Sequence, residues 1–276
     1  MPVHEASGSP FLDRTTFLDE RSGRVLTAVG FHRFRLANTE FTSAITPDDS
    51  TASHFYVRKP PALLGAYHRL RDKLHFARVL QLTGHDSGGA ALTCLIGAPS
   101  KLVSVSTSEN EPTALVEFAK RRGAERSLRV YHGVAQDDRS RLAAIAEAEF
   151  GAGAIDIVLD DISDRLEPAR ASFEALFPYV RDGGVYISEG WGLERKFIES
   201  AIDAAGPTDA DADAARQKFF TQHGQPVYAI LPELLEASRE RPGLIQQVAV
   251  EEFWIEVQRG PEAVDESNFR LPSEPP

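Results

Sequence analysis

Acidic side chains stand at the ends of two predicted strands in the second half of the chain. Asp160 and Asp161 end the apolar run IDIVLDD, Asp164 follows shortly after, and Glu189 ends the run GGVYISE. Ligands of open α/β sheets bind beyond the carboxyl ends of the strands, so these carboxylates mark a candidate site. Because carboxylate oxygens suit Mg²⁺, Mn²⁺ or Ca²⁺, we take Asp160, Asp161 and Glu189 as candidate metal ligands. Asp164 is a candidate general base if the neighbouring carboxylates raise its pKa, or else another metal ligand.

The same acids also have a structural interpretation. Asp160 and Asp161 would then be ordinary strand-end carboxylates, and Asp164 would cap the helix that begins near Leu166, since Asp is a preferred N-cap residue. The sequence leaves both interpretations open.

A glycine-rich turn supplies a second candidate site. The run LTGHDSGGAAL (82–92) leads from a predicted strand into an apolar helix. Gly84 and Gly88 would let the backbone approach a ligand beside the N–H groups of the helix start. His85 within the turn is a candidate relocated base, or else a solvent-exposed loop histidine. Such turns also arise for steric reasons alone.

The elements that must position these residues alternate between strand and helix. Short apolar strands separated by helices predict a mostly parallel sheet covered on both faces, and a tightly joined last pair must be antiparallel. Upstream, 24–36 predicts short strands broken at Gly30, 46–54 a loop, and Pro61 the first turn of a helix. The predicted strands of the sheet are 79–82, 101–106, 128–132, 155–160, 184–189, 244–250 and 252–258, and the predicted helices are 89–96, 112–122, 138–150, 166–179, 193–204, 210–221 and 231–240.

Composition narrows the class of protein. The chain has 276 residues, of which 42% are hydrophobic, enough for a buried core. Its formal net charge of −11 argues against a nucleic-acid partner. Its single cysteine, Cys94, excludes a disulfide within the chain. Since no segment has the pattern of a signal peptide or a membrane span, we expect a cytoplasmic protein without membrane partners.

The sequence resembles class I S-adenosylmethionine-dependent methyltransferases, in particular the bacterial group that acts on sugar and other small-molecule hydroxyls. The resemblance implies a Rossmann-like seven-stranded α/β sandwich, mostly parallel with a C-terminal antiparallel hairpin. It also implies an N-terminal extension or cap at 1–60, followed by the methyltransferase-like domain at 61–276. The segments that carry the resemblance are FYVRKPPALL (55–64), VLQLTGHDSGGAALTCL (79–95), KLVSVSTSENEP (101–112), YHGVAQDDRSRLAAI (131–145), DIVLDDISDRLEPARASFEALFPYVRDGGVYISEGWG (156–192) and RPGLIQQVAVEEFWIEVQRGP (241–261).

Carried over residue by residue, the resemblance implies a set of contacts to S-adenosylmethionine. Several polar positions depart from the family pattern. Gln81 stands where the family has an acid in the first strand, Ser106 where an acid holds the ribose, and Ala135 where the third segment has an acid. Losing two charge-assisted hydrogen bonds would weaken the binding of the cofactor by roughly 10² to 10⁴-fold. The implied cofactor contacts are Gln81, Gly84, Gly88, Ser106, Gln136 and Tyr56.

The catalytic segment departs from the pattern as well. It reads DDISD, which places Asp164 where the family has a histidine, and Gly190 replaces an acid after Glu189. Three hypotheses follow. The first is metal-assisted O-methylation of a sugar-like or natural-product hydroxyl, with Mg²⁺ or a similar cation. The second is a catalytically silent member that binds a ligand or completes a complex, either with itself or with an active relative. The third is a scaffold turned to another reaction such as cyclisation or isomerisation.

Overall fold

The computed structural model describes residues 17–19, 24–30, 33–43, 49–59, 61–84, 87–162, 165–189, 221 and 224–272. The strands are β1 (Phe17–Asp19), β2 (Arg24–Gly30), β3 (Arg33–Leu36), β4 (Thr39–Ser43), β5 (His54–Val57), β6 (Arg78–Thr83), β7 (Lys101–Ser106), β8 (Leu128–Tyr131), β9 (Ile155–Asp160), β10 (Val180–Glu189), β11 (Ile245–Val250) and β12 (Trp254–Arg259). The helices are α1 (Pro61–Leu74), α2 (Gly88–Gly97), α3 (Thr113–Arg122), α4 (Arg139–Glu149), α5 (Leu166–Leu176) and α6 (Ile230–Glu240).

Seven of these strands form a sheet in the order β11-β12-β10-β9-β6-β7-β8. β9 pairs parallel to both β6 and β10, and β7 pairs parallel to β8. β12 runs antiparallel to both β10 and β11. The expected Rossmann-like α/β sheet, mostly parallel with a C-terminal antiparallel hairpin, is therefore confirmed.

The chain divides into two compact units, one of residues 1–77 and 83–132 and the other of residues 78–82 and 133–276. The first unit contains a second sheet, with five strands in the order β1-β2-β3-β4-β5. Its pairs are antiparallel except for β4 with β5, which is parallel. The predicted break at Gly30 is confirmed, whereas β4 and β5 were not predicted. The division at residue 60 stays a prediction.

Stacked aromatic rings form the core of the first unit. The ring centroids of Phe34 and Phe41 are 5.0 Å apart, and those of Phe41 and Phe55 are 5.9 Å apart. Phe118 of α3 meets Phe55 edge-on at 5.5 Å. Because all four rings are buried, the N-terminal strands are held to α3 by apolar packing.

The second unit contains the strands that end in the predicted acids. A glycine pair lies where the register of β10 shifts beside β9: Gly183 has a positive φ of 71°, and a Cβ on Gly184 would lie 2.8 Å from the Asp156 carbonyl oxygen. The predicted helix 166–179 ends early, because α5 stops at Leu176 and Pro178 lies in a following 3₁₀ turn. Nearly all of the predicted helices 193–204 and 210–221 lie outside the described residues.

Within the described ranges, no helix has both the length and the apolar character needed to cross a membrane.

Candidate functional site

Asp160, the last residue of β9, is the centre of a buried hydrogen-bond network. Its side chain is 0% exposed. Tyr186 donates its phenol hydroxyl to Oδ2 over 2.7 Å, and the Ser172 hydroxyl donates to the same oxygen over 2.8 Å. The Gln136 amide nitrogen lies 3.2 Å from both carboxylate oxygens, and the Ile162 backbone N–H donates to Oδ1 over 3.3 Å. A carboxylate has about four lone-pair positions, and these donors occupy them.

Strand geometry explains how this network forms. β10 pairs with β9 in register, with Tyr186 opposite Val158 and Ser188 opposite Asp160. Side chains alternate between the two faces of a sheet, so Tyr186 and Asp160 point to the same face. The Ser172 side chain reaches both residues from α5. Burial, together with the charge of Asp160, raises the pKa of Tyr186 well above its ordinary value. Tyr186 therefore stays a neutral hydrogen-bond donor.

The network also fixes the orientation of Gln136. A carboxylate only accepts hydrogen bonds, so the amide group must direct its NH₂ toward Asp160 and its carbonyl oxygen away from it. The side chain of Gln136 is partly exposed and belongs to the loop before α4. Gln136, which the sequence predicted as a cofactor contact, is thus held by the residue predicted as a metal ligand.

Gln81 on the neighbouring strand β6 is in the opposite situation. Its side chain is 0% exposed, and within the described part of the chain neither its amide nitrogen nor its amide oxygen has a hydrogen-bond partner. It pairs with Leu159, one residue before Asp160, so it points to the other face of the sheet. An unsatisfied buried polar group costs about 1–3 kcal/mol. The buried amide of Gln81 therefore fits a ligand site, in which a polar group of the ligand would supply the missing hydrogen bonds.

Ser106 at the end of β7 binds both the turn that follows β6 and the turn that follows β7. Its hydroxyl donates to the Gly84 carbonyl oxygen over 2.7 Å and accepts the Ser108 N–H over 3.1 Å. The two predicted cofactor contacts Ser106 and Gly84 are therefore brought together, but they bind each other. Ser106 closes the turn where the family has a ribose-binding acid.

Gly88 at the start of α2 makes room for the chain itself. A Cβ at this position would lie 2.0 Å from the Tyr56 carbonyl oxygen and 2.7 Å from Cγ1 of Val57. Gly97 at the other end of α2 similarly admits Leu74, at 2.2 Å. Tyr56 and Gly88 are brought together, and this contact supports the steric explanation of the glycines.

The structure says less about the remaining predicted site residues. His85, Asp164 and Gly190 lie outside the described residues. The backbone N–H of Asp161 donates to the Leu82 carbonyl oxygen over 3.2 Å, and Glu189 is 2% exposed at the end of β10. In the described part of the chain, no group of three His, Cys, Asp or Glu side chains is close enough to hold a metal ion. The roles proposed for His85, Asp164, Asp161 and Glu189 stay predictions.

Sequence reasoning missed Ser172 and Tyr186, which complete the network. Both lie in apolar surroundings, at SFEAL in α5 and VYI in β10. The one available signal was the register of strands 155–160 and 184–189, which would place Tyr186 on the face of Asp160. That register depends on the glycine pair at 183–184 and cannot be read from the strands alone.

Comparison with known proteins gives partial matches. No protein-family model matches the chain. Over 52 residues the chain is 44% identical to the demethylmacrocin O-methyltransferase of Streptomyces fradiae. This match covers 19% of this chain and 13% of that protein.

Solved structures also show similarity. The MycE methyltransferase of the mycinamycin biosynthetic pathway, in complex with Mg, SAH and mycinamycin VI, is 20% identical with a TM-score of 0.47, over 78% of this chain and 51% of that one. A putative caffeoyl-CoA O-methyltransferase from Staphylococcus aureus is 11% identical with a TM-score of 0.44, over 72% of this chain and 83% of that one. The chain thus spans about half the length of MycE.

The strand order and the antiparallel β12 agree with the Rossmann-like sheet that the resemblance to class I methyltransferases implies.

Proposed function

We propose that this chain transfers the methyl group of S-adenosylmethionine to a hydroxyl of a sugar-like or natural-product small molecule. The observation that carries the proposal is the buried amide of Gln81, which lies in the carboxyl-terminal half of β6 beside β9 and has no hydrogen-bond partner among the described residues. A fold alone does not determine a function, so this polar group matters more than the sheet that holds it. The short match to demethylmacrocin O-methyltransferase supports a hydroxyl acceptor.

Gln81 is the described residue that would hold the cofactor, because its buried amide offers a donor and an acceptor together. Gln136 is held by Asp160, whose side chain lies on the opposite face of the sheet, so its role as a cofactor contact stays a prediction. When bound, S-adenosylmethionine supplies an electrophilic methyl group. Asp164 or His85 would take the proton from the acceptor hydroxyl, and no step of the reaction passes through a metal at Asp160.

A direct binding measurement tests this proposal. S-adenosylmethionine and S-adenosylhomocysteine are titrated calorimetrically into the full chain, with and without Mg²⁺. Micromolar binding supports the proposal, and no heat at millimolar cofactor contradicts it. Gln81→Leu, which removes the amide at similar volume, should reduce the affinity about tenfold or more.

The second candidate function is that of a catalytically silent member of the class. It is favoured because the Ser106 hydroxyl is already hydrogen-bonded to the Gly84 carbonyl oxygen. Under this hypothesis the chain has lost its charged cofactor contacts, and restoring one should restore some affinity. Ala135→Asp is the appropriate variant, because Ala135 is exposed. Ser106→Asp is a poor choice, since a carboxylate cannot donate to the Gly84 carbonyl. Binding that appears only in Ala135→Asp would favour the silent member over an active enzyme.

A further inference from the structure

The lone pairs of Asp160 are used within the chain. Hydroxyls of Tyr186 and Ser172 occupy Oδ2, the Ile162 N–H occupies Oδ1, and the Gln136 amide spans both oxygens. A cation that bound either oxygen would have to displace at least one of these donors. Tyr186 is buried, so displacing its hydroxyl from Oδ2 would remove a hydrogen bond between a buried donor and a charged group, which is unfavourable.

Glu189, the strand-end carboxylate of β10, does not approach Asp160 from the same face. Ser188 pairs with Asp160 across the regular part of β10 and β9. Glu189 is the next residue, so alternation directs it to the opposite face. A shared cation would need Asp160 and Glu189 to converge, and the register of the two strands separates them.

We propose that Asp160 is an internal hydrogen-bond acceptor that joins β9, β10, α5 and the loop before α4, and is not a ligand of a divalent cation. The strand-end acid that resembles a metal ligand in sequence thus positions Gln136 and stabilises the sheet. This role does not depend on methyl transfer, because it follows from contacts within the chain.

The test measures the binding of the cation alone. MnCl₂ and MgCl₂ are titrated calorimetrically into the full chain without any methyl donor, so the result is separate from the test of the proposed function. The variants are Asp160→Asn, Tyr186→Phe and Asp161→Asn. Asp161→Asn is the comparison variant, since it neutralises the adjacent candidate ligand and leaves the network in place. A loss of affinity in Asp161→Asn alone supports the proposal, because the cation is then bound away from Asp160.

The proposal predicts that Asp160→Asn and Tyr186→Phe leave the Mn²⁺ affinity within about twofold of the unaltered chain. No measurable binding by any form also supports it, because Asp160 then ligates nothing. A decrease of about tenfold or more in Asp160→Asn would overturn it. So would a tenfold increase in Tyr186→Phe, which removes the donor that would compete with a cation for Oδ2. If Asp160→Asn does not fold, the conservative Tyr186→Phe decides alone.

Discussion

Asp160 and Gln81 are two buried polar side chains on adjacent, register-paired strands, and they are satisfied to opposite extents. Asp160 accepts hydrogen bonds from hydroxyls, an amide and a backbone N–H, whereas both polar atoms of Gln81 lack a partner among the residues that the structure describes. Each is 0% exposed. Burial is thus the same for both, and they differ in charge and in hydrogen bonding.

The difference separates a structural role from a binding role. A fully satisfied polar network rigidifies its surroundings, whereas an unsatisfied buried group costs stability that a ligand can recover. A missing partner does not by itself identify a ligand site, because the Thr93 hydroxyl in α2 is also buried without a partner among the described residues. Gln81 differs from Thr93 in its place and its geometry, because it lies in the carboxyl-terminal half of strand β6 and presents its donor and its acceptor on separate atoms.

Replacing Asp160, whose hydrogen bonds are satisfied, should have the largest effect on the free energy of unfolding. Asp160→Asn places an NH₂ group against donors, so we expect the free energy of unfolding to fall by about 3 kcal/mol. Urea denaturation measures this change. A loss below about 0.5 kcal/mol, typical of a surface substitution, would mean that the network contributes little.

Removing one donor should have a smaller effect of the same sign. Tyr186→Phe keeps the ring that packs edge-on against Phe173 at 4.9 Å and removes only the hydroxyl. The loss of one hydrogen bond to a charged group predicts about 1.5 kcal/mol of destabilisation. Tyr179→Phe is a suitable control in the same denaturation experiment, because its hydroxyl lies outside the network. Equal losses in both variants would contradict the assignment.

Replacing the unsatisfied group should change stability in the other direction. Gln81→Met keeps a similar volume without amide atoms, so we expect the ligand-free chain to gain about 1 kcal/mol. Thr93→Val is the matched control, since it also removes a buried group without a partner. Thermal or urea unfolding of both variants measures the gain. Destabilisation by Gln81→Met would show that the amide has a partner in solution.

Asp156, a third polar residue near the same strands, should have the smallest effect. Burial tends to raise the pKa of Asp156, but hydrogen bonds from Arg181 and Arg78 outweigh it and hold the pKa below its ordinary value of 3.8. The folded state then binds fewer protons than the unfolded state, so this stability is present above pH 3.8 and is lost as the pH falls through the folded pKa.

The contribution of Asp156 is limited by solvent. The partner side chains of Arg78 and Arg181 are 42% and 47% exposed. We therefore expect Asp156→Asn to cost at most about 1 kcal/mol at neutral pH. It should also flatten the dependence of unfolding free energy on pH in the acid range. An unchanged acid slope in a pH series of urea denaturations would contradict this origin.

The sequence predicted the sheet well and the chemistry of its residues less well. Strand and helix periodicity placed β7, β9, α3 and α6 nearly at their observed bounds, because apolar runs and helical spacing are local signals. The glycine turn was also found, but Gly88 turned out to admit the Tyr56 carbonyl, a contact between residues distant in sequence. The network of Asp160 depends on side chains from three elements, and one sequence cannot show that its lone pairs are occupied.

Thermal unfolding with and without S-adenosylhomocysteine tests most directly the claim that Gln81 is the unsatisfied edge of a ligand site. We predict that the ligand raises the unfolding midpoint of the unaltered chain and of Thr93→Val alike. Gln81→Met should unfold at a higher temperature without ligand and lose most of the ligand-induced increase. Equal ligand-induced increases in the unaltered chain and Gln81→Met, or none in the unaltered chain, would contradict the account.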